Sequence, residues 1–169
     1  MPQASIQLRE GTLTDLRKMA AEGRLWAILD ACNEPAVPPQ VAGLGPEKAV
    51  SLYRGQAEHE QWAVAPYLAK VDETVLDWIL QTLWKKHWGI FAVAECDLKD
   101  LRKHFRRFLI VEDPDGETMY FRYYDPRVLP VFLPTCTRDE LKTFFGPLKA
   151  YAVGEAESES VKFFLNLPG

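Results

Sequence analysis

The sequence predicts an α+β fold, a mixed β-sheet with packed helices in a single compact domain, and three observations carry that expectation. Two short apolar runs, Leu25-Trp26-Ala27-Ile28-Leu29 and Gly89-Ile90-Phe91-Ala92-Val93-Ala94, have the unbroken hydrophobicity of strands buried on both faces. Between and after them lie stretches with apolar residues three and four positions apart, the mark of amphipathic helices. Asp113-Pro114-Asp115-Gly116 then separates two strand-like runs, where proline presets a turn and glycine accepts positive φ, so at least one pair of strands is antiparallel.

Taken in order, residues 12–22 carry apolar positions at Leu13, Leu16, Met19 and Ala20, and Gly23 supplies a helix stop. The strand over 25–29 ends at Asp30 and at the proline-rich Glu34-Pro35-Ala36-Val37-Pro38-Pro39, which reads as a loop. A helix is expected around 56–63, an extended stretch over 66–71 and a long helix over 73–86. In that last helix Val75, Ile79, Leu83 and Leu76, Leu80, Trp84 make two adjacent rows, a stripe that has to pack on the sheet. After strand 89–94, Asp97 caps a helix whose apolar side is Leu98, Leu101, Phe105 and Phe108, with Lys99, Lys103, Arg106 and Arg107 on the remaining surface.

The hairpin joins 109–111 to 118–123. Asp125-Pro126 reads as an N-cap with proline at the first helical position, and Pro130 and Pro134 keep the helix that follows short or bent. Thr137-Arg138-Asp139-Glu140 is a capping box ahead of Leu141, Phe144 and Phe145, closed by Gly146-Pro147. Strands over 148–153 and 161–165 complete the pattern. On this reading residues 1–154 are one domain. Residues 155–169 are the acidic linker Glu155-Ala156-Glu157-Ser158-Glu159-Ser160 and an apolar segment, Val161-Lys162-Phe163-Phe164-Leu165-Asn166-Leu167, which is either a last sheet strand or a movable lid.

Composition bounds the function classes. The 169 residues are 47% hydrophobic and 26% charged, close to the averages for a soluble domain and unlike disordered, collagen-like or coiled-coil chains. A core of this size requires no disulfide or metal staple. Lys and Arg total 20 against 24 Asp and Glu, a formal charge of −4, which argues against a chain built to neutralise phosphates globally. Cys32, Cys96 and Cys136 are odd in number and far apart, and are expected as free thiols in a reducing compartment. Met1-Pro2-Gln3-Ala4-Ser5-Ile6-Gln7 lacks a basic segment followed by an apolar one, and no apolar run approaches the ~18–20 residues of a bilayer span. The expectation is a cytoplasmic protein with no membrane partner.

Motifs for chemistry do not assemble. His59 has no second histidine four residues away, so the zinc-helix pattern is missing; no G-x-S-x-G elbow and no glycine-rich phosphate loop occurs. Cys96 stands beside Glu95 and Asp97, whose charges disfavour a thiolate. The reading is no catalytic residue, no metal and no cofactor.

Three concentrations remain. Arg122-Tyr123-Tyr124-Asp125-Pro126-Arg127 is compatible both with a capped helix start and with an interface, because Tyr and Arg supply contact area and directional donors at hot spots. Trp84, His87, Trp88 and Phe91 are either core packing or a partner pocket. The helix over 99–107, with Lys99, Arg102, Lys103, His104, Arg106 and Arg107, is a solvated face, a surface for an acidic partner or a phosphate binder. Arg122, Tyr123, Tyr124, Asp125, Arg127, His87, Trp88, Arg102 and Arg106 are the partner-binding residues on this reading. The alternatives are a polyanion or nucleic-acid module through helix 99–107, and a small hydrolase-like enzyme assembled from His87, Asp125, Arg122 and Tyr124.

One further signal is an ordered series of blocks. Leu25-Trp26-Ala27-Ile28-Leu29-Asp30-Ala31, Ser51-Leu52-Tyr53-Arg54-Gly55, Ala65-Pro66-Tyr67-Leu68 and His87-Trp88-Gly89-Ile90-Phe91 come first. Leu101-Arg102-Lys103-His104-Phe105-Arg106-Arg107-Phe108, Phe121-Arg122-Tyr123-Tyr124-Asp125-Pro126-Arg127-Val128-Leu129, Phe132-Leu133-Pro134-Thr135 and Phe144-Phe145-Gly146-Pro147 follow. The series, over about 25–153, resembles the bacterial domain-of-unknown-function family 4123, whose members act as adaptor chaperones of the type VI secretion system. The resemblance implies a non-enzymatic cytoplasmic adaptor that binds a toxic effector protein and helps load it onto the VgrG or PAAR spike. Nucleic acid is not an expected partner.

Overall fold

The computed structural model describes residues 6–166, and in it the two apolar runs lie side by side in the middle of a sheet. The elements are β1 (Gln7–Thr12), α1 (Leu13–Ala21), β2 (Leu25–Asp30), α2 (Val37–Leu44), β3 (Ala49–Ser51), α3 (Gly55–Glu60), β4 (Pro66–Lys70) and α4 (Glu73–Trp78). There follow β5 (Gly89–Ala94), α5 (Leu98–Arg106), β6 (Ile110–Glu112), β7 (Thr118–Tyr120), α6 (Leu129–Phe132), α7 (Arg138–Phe145), β8 (Leu148–Gly154) and β9 (Ser160–Leu165). Seven strands form one sheet in the order β1-β9-β8-β5-β2-β4-β3, and β6 and β7 pair only with each other.

The class is α+β, and every neighbouring pair in the sheet is antiparallel. Because β4 and β5 both run against β2, they point the same way, and α4 carries the chain from one to the other across β2. Every residue of β2 and β5 is buried. Alternate side chains of a strand face opposite sides, so both faces of the sheet centre are covered. α1 packs on α4 and β2, α5 on β4 and α7 on β8.

Local chemistry sets the helix starts. Asp72 caps α4 by accepting from the Val75 N–H at 2.9 Å, Asp97 caps α5 from the Asp100 N–H at 2.8 Å, and Thr137 with Glu140 closes the capping box of α7. The helix expected over 73–86 is α4 continued by a π-helical turn over Ile79–Leu83. Pro130 and Pro134 do keep α6 to a single turn, continued by a 3₁₀ turn over Leu133–Thr135.

Several expectations are corrected. The proline-rich stretch is not all loop: Pro38 and Pro39 stand in the first turn of α2, where a missing N–H costs nothing. The helix expected over 56–63 stops at Glu60, with a 3₁₀ turn over Trp62–Val64. β7 ends at Tyr120 rather than 123, and no α-helix begins directly at Asp125-Pro126; residues 123–128 are turns and a bend, and α6 starts only at Leu129. Residues 155–159 are the turn between β8 and β9, not a linker. β9 lies between β8 and β1 with Val161, Phe163 and Phe164 buried, which is an interior strand and not a lid. Leu167 and the first five residues, on which parts of the tail and N-terminal readings fall, lie outside the described residues.

Candidate functional site

Arg122 follows the hairpin directly and reaches back to the end of β2, where its Nη2 donates to Oδ2 of Asp30. Asp30 has no exposed surface and also accepts the Cys32 N–H at 3.1 Å. Burial pushes the Asp30 carboxyl above its ordinary pKa, and the hydrogen bond and charge of Arg122 offset only part of that. For Arg122 burial acts downward, yet the hydrogen bond and charge of Asp30 prevail and hold the guanidinium above its usual value. Nη1 lies 3.9 Å from the Cys32 sulfur, and Nε is buried without a partner among the described residues. Tyr124, 2% exposed, stands beside the pair, its phenol pushed well up by burial and then by the Asp30 charge. The Tyr53 phenol is raised as well, by burial first and Tyr120 second.

This arrangement joins three of the expected interface residues to the framework. Arg122 tethers the hairpin base to β2, while Tyr123 is fully buried and donates its hydroxyl to the Phe105 carbonyl at 3.0 Å. Tyr123 and Tyr124 are therefore corrected from partner-binding to interior residues. Trp88 is also interior, 3% exposed and edge-on to Phe91 at 4.9 Å, so Trp88 and Phe91 are core packing while Trp84 is half-buried. His87 is exposed, its carbonyl accepting from Asn33 at 3.3 Å.

Asp125 is no helix cap. Its Oδ1 accepts the Arg127 N–H at 2.8 Å within a turn, and its carboxylate takes both Nε and Nη2 of Arg127 at 3.0 and 2.7 Å. Burial opposes the ionised form, but the Arg127 side-chain and backbone hydrogen bonds outweigh it and leave the Asp125 pKa below the usual range. A depressed carboxylate adds stability that is present above its unfolded pKa and is lost as pH falls through the folded one. Asp125→Ala is accordingly expected to cost about 1 kcal/mol at neutral pH, the worth of the turn's backbone bond with nothing added for the exposed guanidinium. In urea melts that deficit should shrink on acidification; a pH-independent deficit would contradict the assignment.

On α5 the guanidiniums are engaged. Arg102 donates to the Ser51 carbonyl at 3.0 Å and to Glu58 at 3.2 Å. Arg106 donates to the carbonyls of Leu52 at 3.0 Å, Ser51 at 3.3 Å and Tyr53 at 2.6 Å. Both arginines staple the end of β3 and the residues after it to α5, and both stay half-buried. Burial, with Arg102 and Arg54 nearby, draws the Arg106 pKa down. Lys99, Lys103 and Arg107 remain exposed in one row at four-residue spacing. His104 is buried against Phe108, hydrogen-bonded to the Phe144 carbonyl at 2.9 Å, and held by burial below its ordinary pKa. Of the residues expected to assemble an enzyme site, Arg122 is paired with Asp30, Asp125 with Arg127, and His87 is exposed.

What sequence reasoning passed over is the surface of the hairpin. Every residue of β6 and β7 is exposed, and four are large and apolar: Ile110 (57%), Val111 (37%), Met119 (51%) and Tyr120 (47%). The available signal was that both members of each neighbouring pair, Ile110-Val111 and Met119-Tyr120, are apolar, so neither face of a lone ribbon could be wholly polar. Beside it, a cavity of about 510 Å3 opens between α6 and α7, lined by Phe108, Phe132, Thr135, Cys136 and Phe144 with Asp139 and Glu140. Burial, and then Glu140, pushes the Cys136 thiol up to about 11, so it lines the wall as a neutral group. A second cavity, about 440 Å3, lies by β3 with Arg102 and Glu58 in its wall.

Among the described residues no group of three or more His, Cys, Asp or Glu is arranged to hold a metal ion, and no helix is long and apolar enough to cross a membrane. The family described as domain of unknown function DUF4123 matches residues 25–143, from the first residue of β2 into α7. No curated protein and no solved structure matches the chain.

Proposed function

Given that this chain belongs to the DUF4123 family, we propose that it is a cytoplasmic adaptor chaperone, not an enzyme, that binds a cognate type VI secretion effector and promotes its loading onto the VgrG or PAAR spike. The observation that carries this reading is the β6–β7 hairpin. A two-stranded ribbon alone is marginal in water, and one that leaves four large apolar side chains in solvent is a surface suited to a protein partner. The resemblance carried by the ordered blocks set out above supports the adaptor role, and the Arg122–Asp30 and Arg106–carbonyl contacts support it by giving such an arm a rigid base. A ribbon of this size gives a modest interface, in keeping with a partner that is held and later released.

The test is co-expression with the product of an adjacent effector-like gene, purification by a tag on this chain, and size exclusion with light scattering. A stable complex of defined mass is expected. A lone chain that retains no effector overturns the reading.

A further inference from the structure

Resting on that adaptor reading, we infer that the effector segment docks on one particular side of the hairpin, the side continuous with the α6–α7 cavity, and that it presents apolar residues flanked by lysine or arginine. Strand alternation places Val111 opposite Met119 on this side. The Phe121 N–H donates to the Leu109 carbonyl at 2.7 Å, which carries the pairing one step further and adds Phe121 to the same side. The Phe121 ring meets Phe132 at 4.8 Å, Phe132 meets Phe144 at 5.2 Å, and Phe144 meets Phe108 at 5.0 Å. An apolar track thus runs from the exposed ribbon through Phe132 into the walls of the cavity, whose volume lies in the roughly 300–1,000 Å3 range of binding pockets. Val131, next to Phe132, is 70% exposed. The opposite side is partly occupied: Tyr120 packs on Tyr53 at 5.1 Å.

Charge names the rest of the partner. Between Arg107 and Arg122 the chain has no lysine or arginine but carries Glu112, Asp113, Asp115 and Glu117. The Asp113 carboxylate is used within the turn, accepting the N–H groups of Asp115 and Glu117 at 2.9 Å, and Glu140 is used by its capping box. Asp115 at the hairpin tip, Glu117 on the Met119 side and Asp139 on α7 are left without an ion pair or side-chain hydrogen bond among the described residues, while Glu112 lies on the Tyr120 side. An apolar track bounded at both ends by unpaired carboxylates selects an apolar segment with basic flanks and disfavours an acidic one.

Two arms test this. In the first, the isotope-labelled full chain is titrated with an amphipathic leucine–lysine peptide and with its leucine–glutamate counterpart, and amide shifts are mapped. Shifts concentrated on residues 109–121 and 131–144, for the lysine peptide only, support the inference; shifts centred elsewhere, or equal binding of both peptides, overturn it. In the second, the chain carrying Glu117→Lys, Met119→Asp and Asp139→Lys is co-expressed with the effector-like product. All three positions are exposed, and circular dichroism with a thermal melt checks that the variant folds. Loss of at least tenfold in peptide affinity together with loss of the effector supports the docking surface. Retention of the effector by the folded variant overturns it, as does loss of a co-expressed spike protein with the effector kept. If the unmodified chain retains no effector, the adaptor reading and the occupant named here both fall, and the peptide arm alone decides whether the surface binds.

Discussion

Gly89→Ala is expected to remove about 3–5 kcal/mol of stability, a large share of the roughly 5–15 kcal/mol that holds a domain folded. Gly89 opens β5 and stands opposite Leu29 in the middle of the sheet, with φ at +144°. A Cβ there would run into the backbone carbonyl of Ile28, with the Leu29 Cα 3.4 Å away on the same side. Backbone cannot swing aside as a flexible side chain can, and both strands are covered on both faces. The β2–β5 ladder must therefore open, or φ must leave a region that L-residues avoid. For a chain of this length the loss corresponds to a fall of roughly 6–20 °C in Tm. Gly43→Ala is the control: it lies in α2 with open space around it, and an alanine there should be neutral or slightly stabilising. A Gly89→Ala protein that melts with the unmodified chain would mean that β2 and β5 do not approach as described.

How far the fold could be read in advance followed from where each element sits. β2 and β5 were legible because a strand covered on both faces needs an unbroken apolar run, and α5 and α7 because a capping side chain stands in the right place before each. β1 was not legible. As an edge strand with almost every side chain in solvent it carries no hydrophobic pattern, and only its pairing with β9 makes it a strand. β3 is three residues long, too short for a period to show. α2 was hidden by its own prolines, which mark a loop in most contexts and a helix start in this one.

The candidate site was legible in residue type and not in geometry. Arginine and tyrosine around 122–127 did signal a junction, but the partner of Arg122 stands 92 residues earlier in the chain, at a position that reads as the end of a strand. Arg102 and Arg106 looked like free positive charge because their partners are backbone carbonyls of Ser51, Leu52 and Tyr53, which no side-chain pattern reveals. The hairpin turn was evident from Asp113-Pro114-Asp115-Gly116, whereas the exposure of its strands depends on the absence of a third strand beside them, a fact of topology.

Arg122→Ala is the second large effect. Removing the guanidinium leaves the Asp30 carboxylate without exposed surface and without its counter-charge, held by the backbone N–H groups of Cys32 and Asn33. Breaking a buried pair from one side costs about 3–5 kcal/mol; because the Arg122 side chain is 36% exposed, about 2–4 kcal/mol is the expectation here. The sign of the pH dependence identifies the cause. Asp30 already has a raised folded pKa, so its contribution to stability is fully present below its unfolded pKa and is lost as pH rises through the folded one. Without Arg122 that folded pKa rises further, which makes the deficit largest near neutral pH and smaller as acid protonates the carboxyl in both proteins. Asp125 is shifted the other way, chiefly by Arg127 but in part by the Arg122 charge; losing that part also costs stability near neutral pH and not in acid, so it adds to the difference with the same sign. Urea melts of the two proteins across the acid range read this directly. A companion variant, Asp30→Asn with Arg122→Met, keeps the packing of the arginine stem while removing both charges, and should recover much of the loss. A deficit that is constant with pH, or a double variant no more stable than Arg122→Ala, would mean that Arg122 acts by packing alone and that the pair with Asp30 does not fasten the hairpin to the sheet.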